Sequence, residues 1–409
     1  MVRTDSVLIT FLGRAQLDLS TGYRMARYRF PDGSVRETPF FGLALREHVD
    51  PGRLVVLGTA GSMWDVLIEH FAKHHGGQFE EQRLELAEAA EAQRVDETQL
   101  EALRPLAEQA LGLPCDLLLI GYGEGLVEQT LLLDGIYEAV GRDRAVHFDI
   151  THGLRHLSML SLVACQFLEA MSHSLSVEQI WYGAFEMRDP SGLVPVLQLD
   201  GLTRLERWVQ ALEHFERGGD YGRFAELLEA EGMGSEHANL LRQAAFYERV
   251  LNLPEARRRL QSFLKLLEEK PLPGAGRLFS NRLRERIDWV HRGDLYEHQR
   301  RLADLHLAKN DYLRAAILGN EAVLTRWMAE NGEGDVNRHK DREQARYSLQ
   351  KEMREARRDA EAEDFQALET LRNALAHGSV PEWRRIRELL QSPERLEGEL
   401  RRILSRLLR

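Results

Sequence analysis

The sequence predicts an α/β domain with a mostly parallel sheet followed by an all-α domain, and three observations carry the prediction. Short apolar runs alternate with stretches of helical periodicity through the first half of the 409-residue chain, the pattern of βαβ units with helices on both faces of a sheet. The central runs end in loops of glycines, hydroxyls and other polar residues, which is where open α/β sheets hold their ligands. Beyond Asp200-Gly201 the strand-like runs vanish, and helical periodicity continues almost to the end.

The first strand is Val7-Leu8-Ile9-Thr10-Phe11-Leu12, which runs straight into Gly13. Tyr23 to Phe30 and Ser34 to Thr38 flank the turn sequence Pro31-Asp32-Gly33, so a hairpin follows the first strand. Next come Leu54 to Gly58 with a helix from Met63, then Asp116 to Ile120 with a helix from Leu126, then Ala145 to Ile150 with a helix from Leu154. Ile180 to Phe185 and Val194 to Leu199 close the series. Glu80 to Gln99, rich in Glu, Ala, Gln and Leu, reads as an exposed helical insertion with solvated charges. The expected organisation is a ligand-sensing domain over 1–200, a helical connector or extra helices over 201–290, and a second functional domain over 291–409.

Composition narrows the functional classes. A net charge of −11 argues against a nucleic-acid coat protein, which draws its affinity from neutralising many phosphates. The end is locally basic, however, with Arg384, Arg385 and Arg387 and then Arg401, Arg402, Arg406 and Arg409 on amphipathic stretches. Either a polyanion-facing surface or a solvated helix face fits that pattern. The only cysteines, Cys115 and Cys165, sit in apolar runs, so neither a disulfide framework nor a thiolate metal site is expected. No apolar segment reaches the length of a membrane span or a signal core, and a cytoplasmic protein is expected.

Three strand ends carry candidate binding residues: Gly58-Thr59-Ala60-Gly61-Ser62, Gly121-Tyr122-Gly123-Glu124-Gly125 and Thr151-His152-Gly153-Leu154-Arg155. Glycines let backbone approach a ligand, hydroxyls and helix N-terminal amides accept phosphate charge, and Arg155 can pair with a phosphate. Together they describe a pocket for a phosphorylated nucleotide ligand. Neither a Walker loop nor the dinucleotide spacing is present, which disfavours triphosphate hydrolysis and NAD. His152 reads as a ligand contact rather than a catalytic base. His70 and His74, at helical spacing beside Glu69, lack a third ligand and read as a solvated helix end, so no metal is expected.

In the helical half, Leu371-Arg372-Asn373-Ala374-Leu375-Ala376-His377-Gly378 ends a helix at its histidine. Asn373 and His377 share a face, and Arg372 lies about 140° around the helix but is long enough to bend toward them. Cleaving RNA without metal needs a base at the 2′-hydroxyl, an acid at the 5′-oxygen and a cation for the phosphate, roles that His and Arg supply. One helix offers one histidine, so two copies facing each other would complete the set. Capping of the helix by Arg372 and His377 is the structural alternative.

The strand running into Phe11-Leu12-Gly13, the Gly58-Thr59-Ala60-Gly61-Ser62 loop and above all Asp149-Ile150-Thr151-His152-Gly153-Leu154-Arg155 resemble the CARF (CRISPR-associated Rossmann fold) domain of type III CRISPR accessory proteins, over about residues 1–200. That resemblance implies a Rossmann-like, dimeric sensor of cyclic oligoadenylates, with the cyclic tetramer the preferred ring. It also implies that Gly13, Thr59, Ser62, Thr151, His152, Gly153 and Arg155 line a pocket at the dimer two-fold. Arg372-Asn373-x-x-x-His377 resembles the signature of HEPN ribonuclease domains, which commonly follow CARF domains, and Tyr312 to Glu321 resembles the other core HEPN helix, with Glu321 orienting the Arg or His. The implied protein is a homodimer or higher oligomer, switched on by cyclic oligoadenylate, that cuts single-stranded RNA at Arg372, Asn373 and His377 without cofactor or metal in antiviral defence. Two alternatives stay open: a non-catalytic, ligand-responsive regulator, and an enzyme that also cleaves its own activator, with Thr151, His152 or Arg155 positioning a 2′-hydroxyl.

Overall fold

The computed structural model describes residues 3–14, 23–72, 79–141, 145–172, 174–291, 293–356 and 359–408, which divide into two compact units, Met1–Glu206 and Arg207–Arg409. In the first unit the chain runs β1 (Arg3–Leu12), β2 (Ala26–Arg29), β3 (Val35–Thr38), α1 (Phe41–Val49), β4 (Pro51–Gly58), α2 (Asp65–Ala72), α3 (Glu80–Glu91) and α4 (Glu97–Leu111). It continues through β5 (Cys115–Leu119), α5 (Leu126–Val140), β6 (Ala145–Asp149), α6 (Arg155–Met171), β7 (Ser176–Gly183) and β8 (Leu193–Gln198). One sheet results, in the order β3-β2-β8-β7-β6-β1-β4-β5, parallel from β7 to β5.

Crossover handedness explains the layering. From β1 the chain steps outward to β4 and β5, then returns past β1 to β6 and on to β7. Right-handed crossovers place helices on opposite faces when the direction across the sheet reverses. Alternate residues of β1 therefore enter different cores. Leu8 and Leu12 join Leu54, Val56, Leu67 and Leu103, whereas Val7, Ile9 and Phe11 join Val55, Leu57, Ile136, Leu157 and Leu168. Burial on both faces is why the strand reads as a continuous apolar run.

The hairpin expected around Pro31-Asp32-Gly33 is β2 and β3, paired antiparallel, with the Ser34 N–H donating to Asp32 Oδ1. Its β2 also pairs parallel with β8 and so extends the sheet. The stretch read as one solvated insertion differs from expectation. It forms α3 and the start of α4, separated by Gln93 with φ +54° and by a capping box between Asp96 and Gln99. Leu86, Ala90, Val95 and Leu100 are buried in the sheet-facing core, so its charges cover only the outer side.

Helices make up the second unit from Arg207 onward: α7 (Asp200–Gly218), α8 (Phe224–Ala230), α9 (Ser235–Arg249), α10 (Leu253–Glu269), α11 (Gly276–Ile287), α12 (Leu295–Ala308), α13 (Tyr312–Asn331), α14 (His339–Glu355), α15 (Ala360–His377), α16 (Arg384–Leu389) and α17 (Pro393–Leu407). A single apolar cluster runs from Trp208 to Leu408, so 207–290 and the later helices share one core. At its centre lies α13, whose buried residues include Ala315, Ala316, Leu318, Ala322 and Val323. Gly319 on this helix admits α17 closely, since a Cβ there would stand 2.3 Å from Leu404 Cδ2. Among its neighbours is α15, and the shared packing fixes α15 in place. Among the described residues no helix is long and apolar enough to cross a membrane, and Cys115 and Cys165 are buried free thiols.

Candidate functional site

The first unit reverses its direction of travel at β1 and β6, and the crevice at such a switch point is where open α/β sheets bind ligands. β6, β1 and β4 are adjacent and parallel, ending at Asp149, Leu12 and Gly58. Gly13 and the loops 59–62 and 150–155 therefore emerge side by side.

Buried Asp149 organises the last of these loops. It accepts from Thr10 Oγ1 at 2.6 Å and from the Thr151 N–H at 2.8 Å. The Thr151 hydroxyl in turn accepts from the Gly183 N–H at 2.8 Å, which ties the loop to β7. Burial pushes the Asp149 pKa up to about 6, against hydrogen bonds that favour the charged form. Gly153 has φ +90°, and a Cβ there would stand 3.1 Å from Phe11 Cβ; a Cβ on Gly13 would stand 3.1 Å from the Gly153 nitrogen. Both glycines are needed for the two strand ends to close on each other.

His152 packs its ring near Phe40, and its Nε2 accepts the Phe41 N–H at 3.2 Å. A neutral imidazole accepting at Nε2 carries its proton on Nδ1. Burial lowers its pKa to about 4, so the ring is neutral at physiological pH and offers a donor, not a charge. Arg155 is exposed as the first residue of α6, where the backbone amides of the helix also point outward.

Thr59 and Ser62 have protein partners in the same crevice. Ser62 Oγ accepts the Thr59 N–H at 2.9 Å and donates to the Leu12 carbonyl at 2.8 Å, with Thr59 Oγ1 3.2 Å away. Both residues are buried, and their hydroxyls brace the ends of β1 and β4. The Gly121–Gly125 loop corrects the expectation of three phosphate-binding loops. The Glu128 carboxylate already accepts from the Gly123 N–H at 2.7 Å and the Glu124 N–H at 3.3 Å, so an anion there would meet a resident negative charge. His74 lies outside the described residues.

In the second unit, α15 is continuous to His377 and is closed by Gly378 in the left-handed conformation, φ +60°. Asn373 and His377 are exposed and Arg372 partly so, and none has a hydrogen-bond or ion-pair partner among the described residues. A cleft of about 580 Å³ opens beside Asn373. Glu321, expected to orient the Arg or His, instead pairs with Arg342 and Arg346 of α14. Burial alone would raise its pKa, but the Arg346 and Arg342 charges outweigh burial and hold it below the usual range. Its carboxylate fixes α14 on α13. The basic end is largely occupied as well. Arg385 pairs with Glu363 and Glu399, Arg402 with Asp364 and Glu399, Arg406 with Asp364, and Arg401 with Glu397.

Sequence reasoning quoted Asp149 without giving it a role and missed Thr10 and Phe41. A carboxylate at a strand end two residues before a loop threonine is an Asx-type signal that could have found the first. Phe41 contributes only its backbone, which leaves no mark in the sequence.

Residues 7–186 match the family described as CRISPR system endoribonuclease Csx1, CARF domain. That segment is a CARF domain. The chain is also 25% identical over 265 residues to CRISPR-associated protein MJ1674 of Methanocaldococcus jannaschii, an alignment that covers 61% of this chain and 41% of that protein. The chain thus spans about two fifths of that relative's length. All seven candidate ligand residues fall inside the matched CARF segment, and Arg372, Asn373 and His377 fall beyond it.

Proposed function

We propose that this protein is a metal-independent endoribonuclease, activated by a cyclic oligoadenylate, that cuts single-stranded RNA in type III CRISPR defence as a cytoplasmic homodimer. The observation that carries the reading is the free state of Arg372, Asn373 and His377. In a unit whose other arginines are mostly ion-paired, a guanidinium, an amide and an imidazole stand unpartnered on the last turns of one helix, beside a cleft. His377 of one copy takes the 2′-hydroxyl proton, its counterpart in the second copy protonates the departing 5′-oxygen, and Arg372 stabilises the charge building on the phosphate. The 2′-oxygen–phosphorus bond forms as the phosphorus–5′-oxygen bond breaks, leaving a cyclic phosphate and a 5′-hydroxyl.

The sensing half rests on the switch-point loop, where the His152 Nδ1–H, Arg155 and the start of α6 offer donors and positive charge suited to an oligoadenylate phosphate. Dimerisation is supported by an uncovered apolar stripe. Leu126, Val127 and Leu131 of α5 and Met159, Val163, Phe167 and Met171 of α6 are exposed, Met159 by 70%. The two helices pack together and begin where β5 and β6 end. Two copies joined through them would bring their 151–155 loops to one symmetric site, as a shared ring requires. Activation then follows if the ring binds the active arrangement more tightly than the idle one.

The test is cleavage of labelled single-stranded RNA in EDTA, with and without cyclic tri-, tetra- and hexa-adenylate, for the wild type and His377→Ala. Cutting by the wild type with one ring, most simply the tetramer, and its loss in His377→Ala are expected. A ring that binds tightly without eliciting cleavage would replace the ribonuclease with a regulator. Loss of the ring itself over time in His377→Ala would add the self-limiting activity.

A further inference from the structure

The cleft beside Asn373 has a chemistry of its own. One wall is α15, where Gln366, Thr370 and Asn373 follow at helical spacing and lead to His377, and the other is the segment after the helix, with Ser379, Glu382 and Trp383. The side chains of Gln366, Asn373 and Glu382 have no hydrogen-bond partner among the described residues. Thr370 Oγ1 donates to the Gln366 carbonyl. Trp383 is half-buried against the helical core and contributes ring surface.

We propose that this cleft is a nucleobase subsite, and that it selects a base with an amine at purine C6 or pyrimidine C4, adenine or cytosine, next to the phosphate cut at His377. The proposal rests on the ribonuclease reading and deepens it. At about 580 Å³ the cleft has room for a nucleoside. Its lining carries one charge, the Glu382 carboxylate, which repels a phosphate but accepts from an amine. Side-chain amides pair with the edge of adenine, and an aromatic ring gives any base a surface to stack on. Uracil presents a carbonyl where these bases present an amine, and so sets an acceptor against the carboxylate in place of a donor. Asn373 is about one turn, a rise of about 6 Å, from His377, so a base splayed from the strand reaches the cleft while its phosphate stays at the histidine.

The experiment compares ring-activated wild type with Gln366→Ala, Glu382→Gln and Trp383→Ala on RNAs that differ only in the base flanking the cut. Adenine and cytosine should be preferred over uracil by roughly tenfold, Glu382→Gln should flatten that preference, and Trp383→Ala should raise KM roughly tenfold with kcat retained. Trp383 packs on the core, so Gln366 and Glu382, both exposed, guard against a folding artefact. Unchanged base preference and unchanged KM in all three variants would overturn the subsite and leave the ribonuclease standing. If the wild type cuts no RNA, the ribonuclease reading falls, and binding of oligoadenylate, oligocytidylate and oligouridylate RNAs decides the subsite. Weaker uridylate binding, with discrimination lost in Glu382→Gln, supports it; equal binding throughout overturns it.

Discussion

Burial moves the pKa values of Asp149 and His152, three residues apart, in opposite directions, and their effects on stability oppose each other. The Asp149 pKa rises to about 6 on folding from an unfolded value near 3.8, so its contribution is full at low pH and is lost as pH rises toward 6. The His152 pKa falls to about 4 from 6.5, so its contribution is full above 6.5 and is lost as pH drops toward 4. Over the shared window the slopes cancel, and the pair flattens the pH profile of the CARF domain. Asp149→Asn removes one member. Relative to the wild type, the variant should lose stability as pH falls from 6.5 to 4, approaching about 1.4 kcal/mol per pH unit, in thermal or urea melts; parallel profiles would refute the pairing. Much of this loop was legible from Thr151-His152-Gly153, because its glycine and hydroxyl mark a turn wherever they stand. The burial that sets the two pKa values depends on β1, α1 and β7, which the local sequence does not contain. Thr59 and Ser62 show the converse: the tertiary partners of these strand-end hydroxyls are invisible in the local sequence.

Among the elements, α5 and α6 carry the clearest unanswered surface. Polar substitutions at exposed apolar positions leave the monomer core alone, so Leu131→Glu with Met159→Glu should abolish self-association in sedimentation while leaving the melting temperature within a few degrees. Ring binding should weaken in parallel, because each copy would then offer half a site. The start of α5 is legible from the periodicity after Gly125, whereas α3 and α4 read as helical without their buried side. Their buried residues, Leu86, Ala90, Val95 and Leu100, are too sparse among glutamates and glutamines for a core stripe to stand out. α1 went unread because Phe41 to Val49 is apolar at its start, with no alternation to separate it from the strands on either side. On α15 the arginine–histidine spacing was visible, while the freedom of those side chains appears only once the partners of every neighbouring arginine are known.

At the scale of the molecule, the helical unit is built around charge as well as around its apolar cluster. Glu248, Arg286 and Tyr221 are buried together, with the Tyr221 hydroxyl donating to Glu248 at 2.9 Å and Arg286 paired to the same carboxylate. Glu248→Ala strands a buried guanidinium and should cost about 3–5 kcal/mol, read as a lower melting transition of the helical unit with ring binding to the CARF domain retained. A single cooperative loss of both would show that the units do not melt separately. The change of fold class near residue 201 was legible because strand alternation stops there. The common core of 207–290 with the later helices was not, since it depends on contacts far apart in sequence.

The occupied arginines of the C-terminal helices have a consequence for how the proposed enzyme would behave between activations. With Arg385, Arg402 and Arg406 held by Glu363, Asp364 and Glu399, few cations are left to displace counterions from an RNA strand. Affinity should therefore change little with ionic strength, with a log–log slope of about −0.7 for each free cation that touches a phosphate of a single strand. Such a protein would not accumulate on transcripts while idle. Its encounters with RNA would be brief, and the decision to cut would belong to the second messenger rather than to the abundance of the substrate.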